Sequence, residues 1–260
     1  MIRFTKLHGN GNDFILIDEY AGETIKDKAD FAATYCDRRF GIGADGVLFL
    51  LKSDCADIGM RLFQPDRSEA EMCGNGIRCL VRYAIDEGYL TRAGTSTIET
   101  LAGVLTVDLD GEWIKVNMGT PAFGGIEHLA GYEVYSTNTG VPHAVIFVDN
   151  PDIPISEIAP GIRYAPVFPE GANVNFVKIE NDHEITIRTY ERGVEAETLS
   201  CGTGAVASAY VARRRGLTGD RVVVRTAGGD LRISFAADGV AFMAGGAVRV
   251  FEGRLRSERL

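Results

Sequence analysis

No stretch of the 260-residue chain approaches the roughly 18 uninterrupted apolar residues that a membrane-crossing helix needs, so a membrane protein is not expected. Positive charge is also short. Lys and Arg number 27 against 36 Asp and Glu, a formal charge of -9, and no basic stripe is present to hold a phosphate backbone or an anionic lipid. Nucleic acid is therefore not an expected partner. The five cysteines (Cys36, Cys55, Cys73, Cys79, Cys201) are odd in number and scattered, which argues against a secreted disulfide framework. The N-terminal run from Met1 reaches Gly9 and Asn10 before any long apolar segment forms, and together these features lead us to expect reduced thiols and a cytoplasmic location. Close metal-ligand pairs are missing too: only Cys73 and Cys79 are near each other, while His8, His128, His143 and His183 stand far apart, so no metal is expected. There is no low-complexity sequence, and the 31 glycines punctuate the ends of periodic segments as turns and caps. What remains, 45% apolar and 24% charged, is the composition of a soluble globular protein with one large core or two smaller ones.

The chain repeats itself. Glu69-Ala70-Glu71-Met72-Cys73-Gly74-Asn75-Gly76 is echoed by Glu195-Ala196-Glu197-Thr198-Leu199-Ser200-Cys201-Gly202-Thr203-Gly204, with Cys73 and Cys201 separated by 128 positions (201 minus 73). Gly88 and Gly216 keep the same offset. Thr100 to Gly103 matches Thr226 to Gly229, and Val116 to Gly119 matches Phe242 to Gly245, at 126. Upstream, Phe14 to Asp18 parallels Ala144 to Asp149, which sets Asn12 opposite His143. A repeat of this size is domain-sized, so duplication into two similar lobes is expected rather than a solenoid. After each cysteine the apolar residues have helical spacing: Ile77, Leu80, Val81, Ala84 and Ile85, then Ala205, Val206, Ala209, Tyr210 and Val211. The second helix is apolar almost all round, as a helix buried at a lobe's centre would be. Alternating segments such as 185–188, 221–224 and 231–235 read as strands. The expected fold is α+β. Two pseudo-symmetric lobes each have a strongly curved, mostly antiparallel sheet around a central helix. The N-terminal lobe takes 1–118 plus 250–260, and 119–249 form the C-terminal lobe.

Both cysteines fall at a helix start, where free amides and the helix dipole favour negative charge. Such a site lowers a thiol's pKa and also welcomes a carboxylate. A two-fold relation between lobes would set Cys73 and Cys201 facing each other across a cleft. Two opposed acid/base groups suit the inversion of a stereocentre: one removes the α-proton and the other delivers a proton to the opposite face. The amides of Gly74, Asn75, Gly202 and Thr203 would then direct donors at the substrate carboxylate. Taken singly, a cysteine is more plainly a small buried apolar group, and a glycine-rich helix start binds any anion. Two in register point to paired chemistry.

The segments Leu7-His8-Gly9-Asn10-Gly11-Asn12-Asp13-Phe14, Ser68 to Cys79, and Tyr190-Glu191-Arg192-Gly193 leading to Cys201-Gly202-Thr203-Gly204 resemble the diaminopimelate epimerase family along the whole chain. The resemblance implies interconversion of L,L- and meso-2,6-diaminopimelate on the route to lysine. It implies that this is done by a cytoplasmic homodimer without pyridoxal phosphate or another cofactor. Carried across, it makes Cys73 and Cys201 the catalytic pair. Asn12, Gln64, Asn75 and Asn173 become substrate-contacting amides, Arg192 the partner of the distal carboxylate, and His143 and Glu191 the groups that tune the thiols. Outside the resemblance, these residues read more simply as turn asparagines, a surface Glu-Arg pair and a core histidine. The sequence departs from the family pattern at Gln64 (usually Asn), Arg67 (often Gly), Val141 (often Asn) and Gly46 (Gln in some members). The rival functions are a histidine- or proline-type racemase of the same superfamily, a thiol redox protein cycling Cys73 and Cys201, and an anion-binding protein using the two helix starts.

Overall fold

The computed structural model describes residues 1–110 and 112–256. Residues 257–260, assigned above to the N-terminal lobe, lie outside the described residues. The chain forms two compact units, one of Met1–Val116 together with the chain from Gly245, the other of Asn117–Ala244. Among the described residues no helix is long and apolar enough to cross a membrane.

The first unit contains β1 (Ile2–Gly9), β2 (Asn12–Glu19), α1 (Lys28–Tyr35), β3 (Gly46–Leu51), β4 (Ile58–Phe63), β5 (Glu69–Ala70), α2 (Gly74–Asp86), β6 (Gly94–Thr100), β7 (Gly103–Asp110) and β8 (Trp113–Asn117). The second contains β9 (Ala122–Leu129), β10 (Tyr132–Asn138), β11 (Pro142–Phe147), α3 (Ile155–Arg163), β12 (Asn173–Asn181), β13 (Glu184–Glu191), β14 (Ala196–Thr198), α4 (Gly202–Arg214), β15 (Arg221–Thr226), β16 (Gly229–Phe235) and β17 (Ala241–Gly245). The last strand, β18 (Val248–Leu255), runs antiparallel to β1 in the first unit. Pairing is duplicated strand for strand. In the first unit β1–β2, β3–β4, β4–β5, β6–β7 and β7–β8 are antiparallel, whereas β2–β3 and β4–β6 are parallel. In the second, β9–β10, β10–β11, β12–β13, β13–β14, β15–β16 and β16–β17 are antiparallel, with β11–β12 and β13–β15 parallel. The parallel steps fall where a helix or a longer connection intervenes, because two parallel neighbours cannot be joined by a tight hairpin.

Each sheet closes over one helix. Strands β1, β2, β3, β4 and β18 pack on α2, and β10, β11, β12, β13, β15 and β16 pack on α4. Burial follows: Ile77, Cys79, Leu80, Val81 and Ala84 of α2 are fully covered, as are Ala205, Val206, Ala207, Ala209, Val211 and Ala212 of α4. A helix enclosed in this way favours small or apolar side chains, as in the Ala-rich α4, and a polar one buried there, such as Arg78 of α2, needs partners within the fold. The two helices are each 13 residues long and stand 128 apart at both ends (202 minus 74, 214 minus 86). The duplicated α+β fold, the central helices and the strands at 185–188, 221–224 and 231–235 are as the sequence leads one to expect.

Two of the finer sequence matches shift. The ladders set β8 opposite β17 at 127 rather than 126 (241 minus 114), since Leu109 pairs with Ile114 and its counterpart Phe235 with Ala241; the connection from β16 to β17 is longer than that from β7 to β8. In the ladders Phe14 pairs with Gly46 and His143 with Asn173, so Phe14, not Asn12, takes the place of His143. The slip is two residues, and side chains two apart lie on one face of a strand, so apolar patterning could not reveal it.

Both central helices end on a glycine in the left-handed region, Gly88 at φ 80° and Gly216 at φ 72°, with open space where a side chain would stand. Gly88→Ala and Gly216→Ala therefore act through backbone strain alone. Each should lower stability by about 1 kcal/mol in urea unfolding, with an unchanged m-value.

Candidate active site

In the first unit Cys73 is the N-cap of α2, with extended backbone (φ -146°, ψ 116°), and its Sγ accepts from the Gly76 amide at 3.4 Å. A Cβ on Gly76 would stand 3.2 Å from Leu48 Cδ2 and 3.7 Å from the sulfur, so glycine lets the helix start lie close against both. The Cys73 thiol donates to Asn12 Oδ1 at 3.8 Å, and Asn75 Nδ2 donates to the same oxygen at 3.2 Å. Thus Cys73, Asn12 and Asn75 are brought together. Gln64 is not among them: it sits in the exposed turn between β4 and β5, where its Oε1 accepts from the Ser68 hydroxyl at 3.2 Å. At Gly46, where some family members carry glutamine, a Cβ would lie 2.9 Å from Leu62 Cδ1 and 3.1 Å from the Phe63 carbonyl oxygen, so a side chain there requires both to shift.

The sequence reading missed what orients these amides. Arg78, one turn into α2, is 0% exposed and donates to Asn75 Oδ1 at 2.9 Å, to Asn10 Oδ1 at 2.7 Å and to the Gly246 carbonyl at 3.3 Å. A guanidinium only donates, so Asn75 must turn its oxygen towards Arg78 and its amide nitrogen towards Asn12. Asn12 in turn directs its own nitrogen at Asp45 Oδ2, 2.8 Å away. The chain of bonds runs in one direction from a buried cation to a carboxylate. Arg38 holds the far end through Asp45 at 2.8 Å and Asp13 at 2.7 Å, and Lys6 reaches Asp13 at 2.6 Å. Burial pushes the Asp13 carboxyl up, but Arg38 and Lys6 more than reverse this and hold it at about 2. Burial lowers the Arg78 pKa. Arg78 could have been singled out as a charge within an otherwise apolar helical pattern.

In the second unit Cys201 occupies the same N-cap position on α4 and is buried, with its Sγ 3.5 Å from Thr203 Oγ1. The Thr203 carbonyl accepts from the Thr139 hydroxyl at 3.2 Å, and Gly202 opens the helix. A Cβ on Gly204 would fall 2.3 Å from Asn175 Oδ1 and 3.3 Å from Cys201 Sγ. Asn173 is buried at the head of β12; its Oδ1 accepts from the Arg192 amide at 2.8 Å, and its nitrogen donates to the Pro142 carbonyl at 3.4 Å. Glu191 closes β13 and Arg192 opens the turn after it, both half-buried, and the Arg192 guanidinium donates to the Glu170 carbonyl at 3.2 Å. The following turn is pinned by Glu195. The Gly193 amide, with Arg163 and Tyr164, holds that carboxyl at about 2 against the effect of burial. His143 is fully buried, and burial together with the Arg192 charge pushes its imidazole down to about 3. A cavity of about 260 Å³ in this unit, lined by Phe123, Asn138, Pro142, Val167 and Glu170 among others, is lined by neither Cys201 nor His143. Among the described residues no group of three His, Cys, Asp or Glu side chains is arranged to hold a metal ion.

The diaminopimelate epimerase family model matches residues 4–124 and 135–250. The chain belongs to that family. Relatives named diaminopimelate epimerase include one from Methanothrix thermoacetophila, 57% identical over 100% of this chain and 98% of its own length. Another, from Archaeoglobus fulgidus, is 52% identical over the same shares. Among solved structures the fold is shared with a PhzF-family phenazine biosynthesis protein of Bacillus anthracis (TM-score 0.76, 20% identity, 98% of this chain and 99% of that one). It is also shared with a predicted epimerase from Pseudomonas aeruginosa (TM-score 0.73, 15% identity, 99% and 100%). Family membership makes the protein an isomerase.

Two measurements test these electrostatics. Arg78→Met leaves the Asn10, Asn75 and Gly246 oxygens without their donor, and should cost about 2–4 kcal/mol in urea unfolding, partly offset by no longer burying a charge. His143 binds its proton at about 3 in the folded state and at the ordinary 6.5 when unfolded, so the unfolded chain takes up the extra proton between those values. The stability is fully present above 6.5 and is lost as pH falls. From pH 6 to pH 5 the unfolding free energy should drop by up to about 1.4 kcal/mol more in the wild type than in His143→Gln.

Proposed function

We propose that the protein interconverts L,L- and meso-2,6-diaminopimelate, in lysine biosynthesis, by a two-thiol 1,1-proton transfer between Cys73 and Cys201 with no cofactor. The observation that carries this reading is that each unit, taken alone, presents a cysteine as the N-cap of a buried 13-residue helix at duplicated positions. The thiolate of one cysteine takes the α-proton, leaving a carbanion-like centre beside the carboxylate. The S–H of the other gives its proton to the opposite face of that carbon. The first sulfur ends protonated and the second as thiolate, so the resting form for one isomer is the reacting form for the other. This chemistry requires the two units to offer their cysteines to opposite faces of one carbon.

The hard step is removal of a weakly acidic α-proton. The amides of Gly74, Asn75, Gly202 and Thr203 are assigned to the substrate carboxylate, where donors fixed in advance stabilise the developing charge without reorganising water. Asn12, Asn75, Asn173 and Gln64 contact the substrate, and the Arg192 guanidinium forms a planar fork for the distal carboxylate. Glu191 and His143 tune the thiols. Gln64, exposed in its turn, is free to offer its amide to substrate. Diaminopimelate, with two ammonium and two carboxylate groups, is net neutral and is not opposed by the chain's -9 formal charge, whereas nucleic acid and anionic membranes are opposed by it and are not its partners. Its working form, on the family resemblance, is a cytoplasmic homodimer.

The reduced protein, free of pyridoxal phosphate, is incubated with L,L-diaminopimelate in deuterated water, and label at one α-carbon is followed with the meso product. Cys73→Ala and Cys201→Ala should each lose epimerisation by about 10²–10⁴-fold or more. No exchange with diaminopimelate would sink the substrate assignment. Exchange into proline or histidine instead would move the protein to a sister racemase while keeping the cysteine chemistry.

A further inference from the structure

We propose that Asn175 is a positioning residue that locks His143 as its Nε2–H tautomer, so that the imidazole serves the reaction as a neutral hydrogen-bond donor and not as a base. The proposal deepens the epimerase reading and rests on it for the reaction affected. Asn175 is 0% exposed, in β12 beside β11. Its side-chain nitrogen lies 3.2 Å from the Ala144 carbonyl oxygen, 3.4 Å from the Asn173 carbonyl oxygen and 3.1 Å from His143 Nδ1. Its oxygen accepts from the Thr189 hydroxyl at 3.0 Å. Turning the amide over would set its oxygen against two carbonyl oxygens, so the NH₂ group faces them, and its two hydrogens serve the two shorter contacts, to His143 Nδ1 and the Ala144 carbonyl.

It follows that His143 Nδ1 faces a donor and can only accept. A neutral imidazole carries one proton, which must then be on Nε2. That nitrogen is buried and has no hydrogen-bond partner among the described residues. A buried N–H left without an acceptor costs about 1–3 kcal/mol, so the fold keeps a donor free at some expense. The acceptor it suits is an anion, a thiolate sulfur or a substrate carboxylate oxygen. With Nδ1 occupied by the amide and Nε2 already protonated, neither ring nitrogen can relieve a cysteine of its proton. Burial and the Arg192 charge act in the same sense by disfavouring the imidazolium. Asn175 also fixes the helix start of Cys201, since its oxygen fills the space a side chain on residue 204 would need.

The test uses the full-length protein labelled with ¹⁵N-histidine, whose long-range ¹H–¹⁵N correlations distinguish the tautomers. His143 is assigned among the four histidines by its loss in His143→Gln. The expected wild-type pattern is a bare Nδ1 and a protonated Nε2, unchanged from pH 8 to pH 5. Asn175→Asp, which cannot donate, should draw the proton to Nδ1 and lower kcat for epimerisation by about 10–100-fold, with KM moved far less. Because a buried carboxylate can prevent folding, Asn175→Ala is measured alongside; it should give a mixture of tautomers. An Nδ1–H wild type overturns the proposal, and so does either variant that folds and retains both the wild-type tautomer and kcat. A wild type with the Nε2–H tautomer but no diaminopimelate exchange would instead count against the epimerase reading.

Discussion

The amide groups in the first turn of a helix have no carbonyl partners within it, and in α2 and α4 the surrounding strands keep most of the helix from water. Something other than solvent has to answer those donors. Here a cysteine sulfur stands at the cap, bonded to the Gly76 amide in the first unit, and glycine follows closely so that backbone and sulfur can approach. The same arrangement favours negative charge at the sulfur and on any carboxylate brought near it. Burying the helix thus stabilises the unit and, at its N-terminal end, creates a place where an anion is welcome.

Duplication copied the backbone device and not the side chains behind it. Arg78 of α2 corresponds to Val206 of α4 by the 128-residue offset, and both are 0% exposed. In the first unit a buried guanidinium fixes the direction of a hydrogen-bond chain through Asn75 and Asn12 to Asp45. In the second, an uncharged amide and an uncharged imidazole do the orienting.

Much of this was legible in the chain itself. The offset of 128 gave the duplication, the helical spacing after each cysteine gave α2 and α4, and the glycine at 216 gave the end of α4, because backbone preference and apolar periodicity are local properties. The slip that sets Phe14 rather than Asn12 opposite His143 was not legible, since ladder register depends on which strands meet and a shift of two leaves the pattern unchanged.

The sequence by itself determined the family and with it the reaction class, because the motifs that resemble the family's are short local runs, and it set a cysteine before each of the two duplicated helices. Only the tertiary structure decided which way the amides point. Asn12 meets Asn75 across 63 positions, Arg78 meets Asn10 across 68, and Asn175 meets His143 across 32. Whether an amide shows its oxygen or its nitrogen is set by the donors and acceptors that surround it after folding. Such partners, distant in sequence, leave no periodic trace.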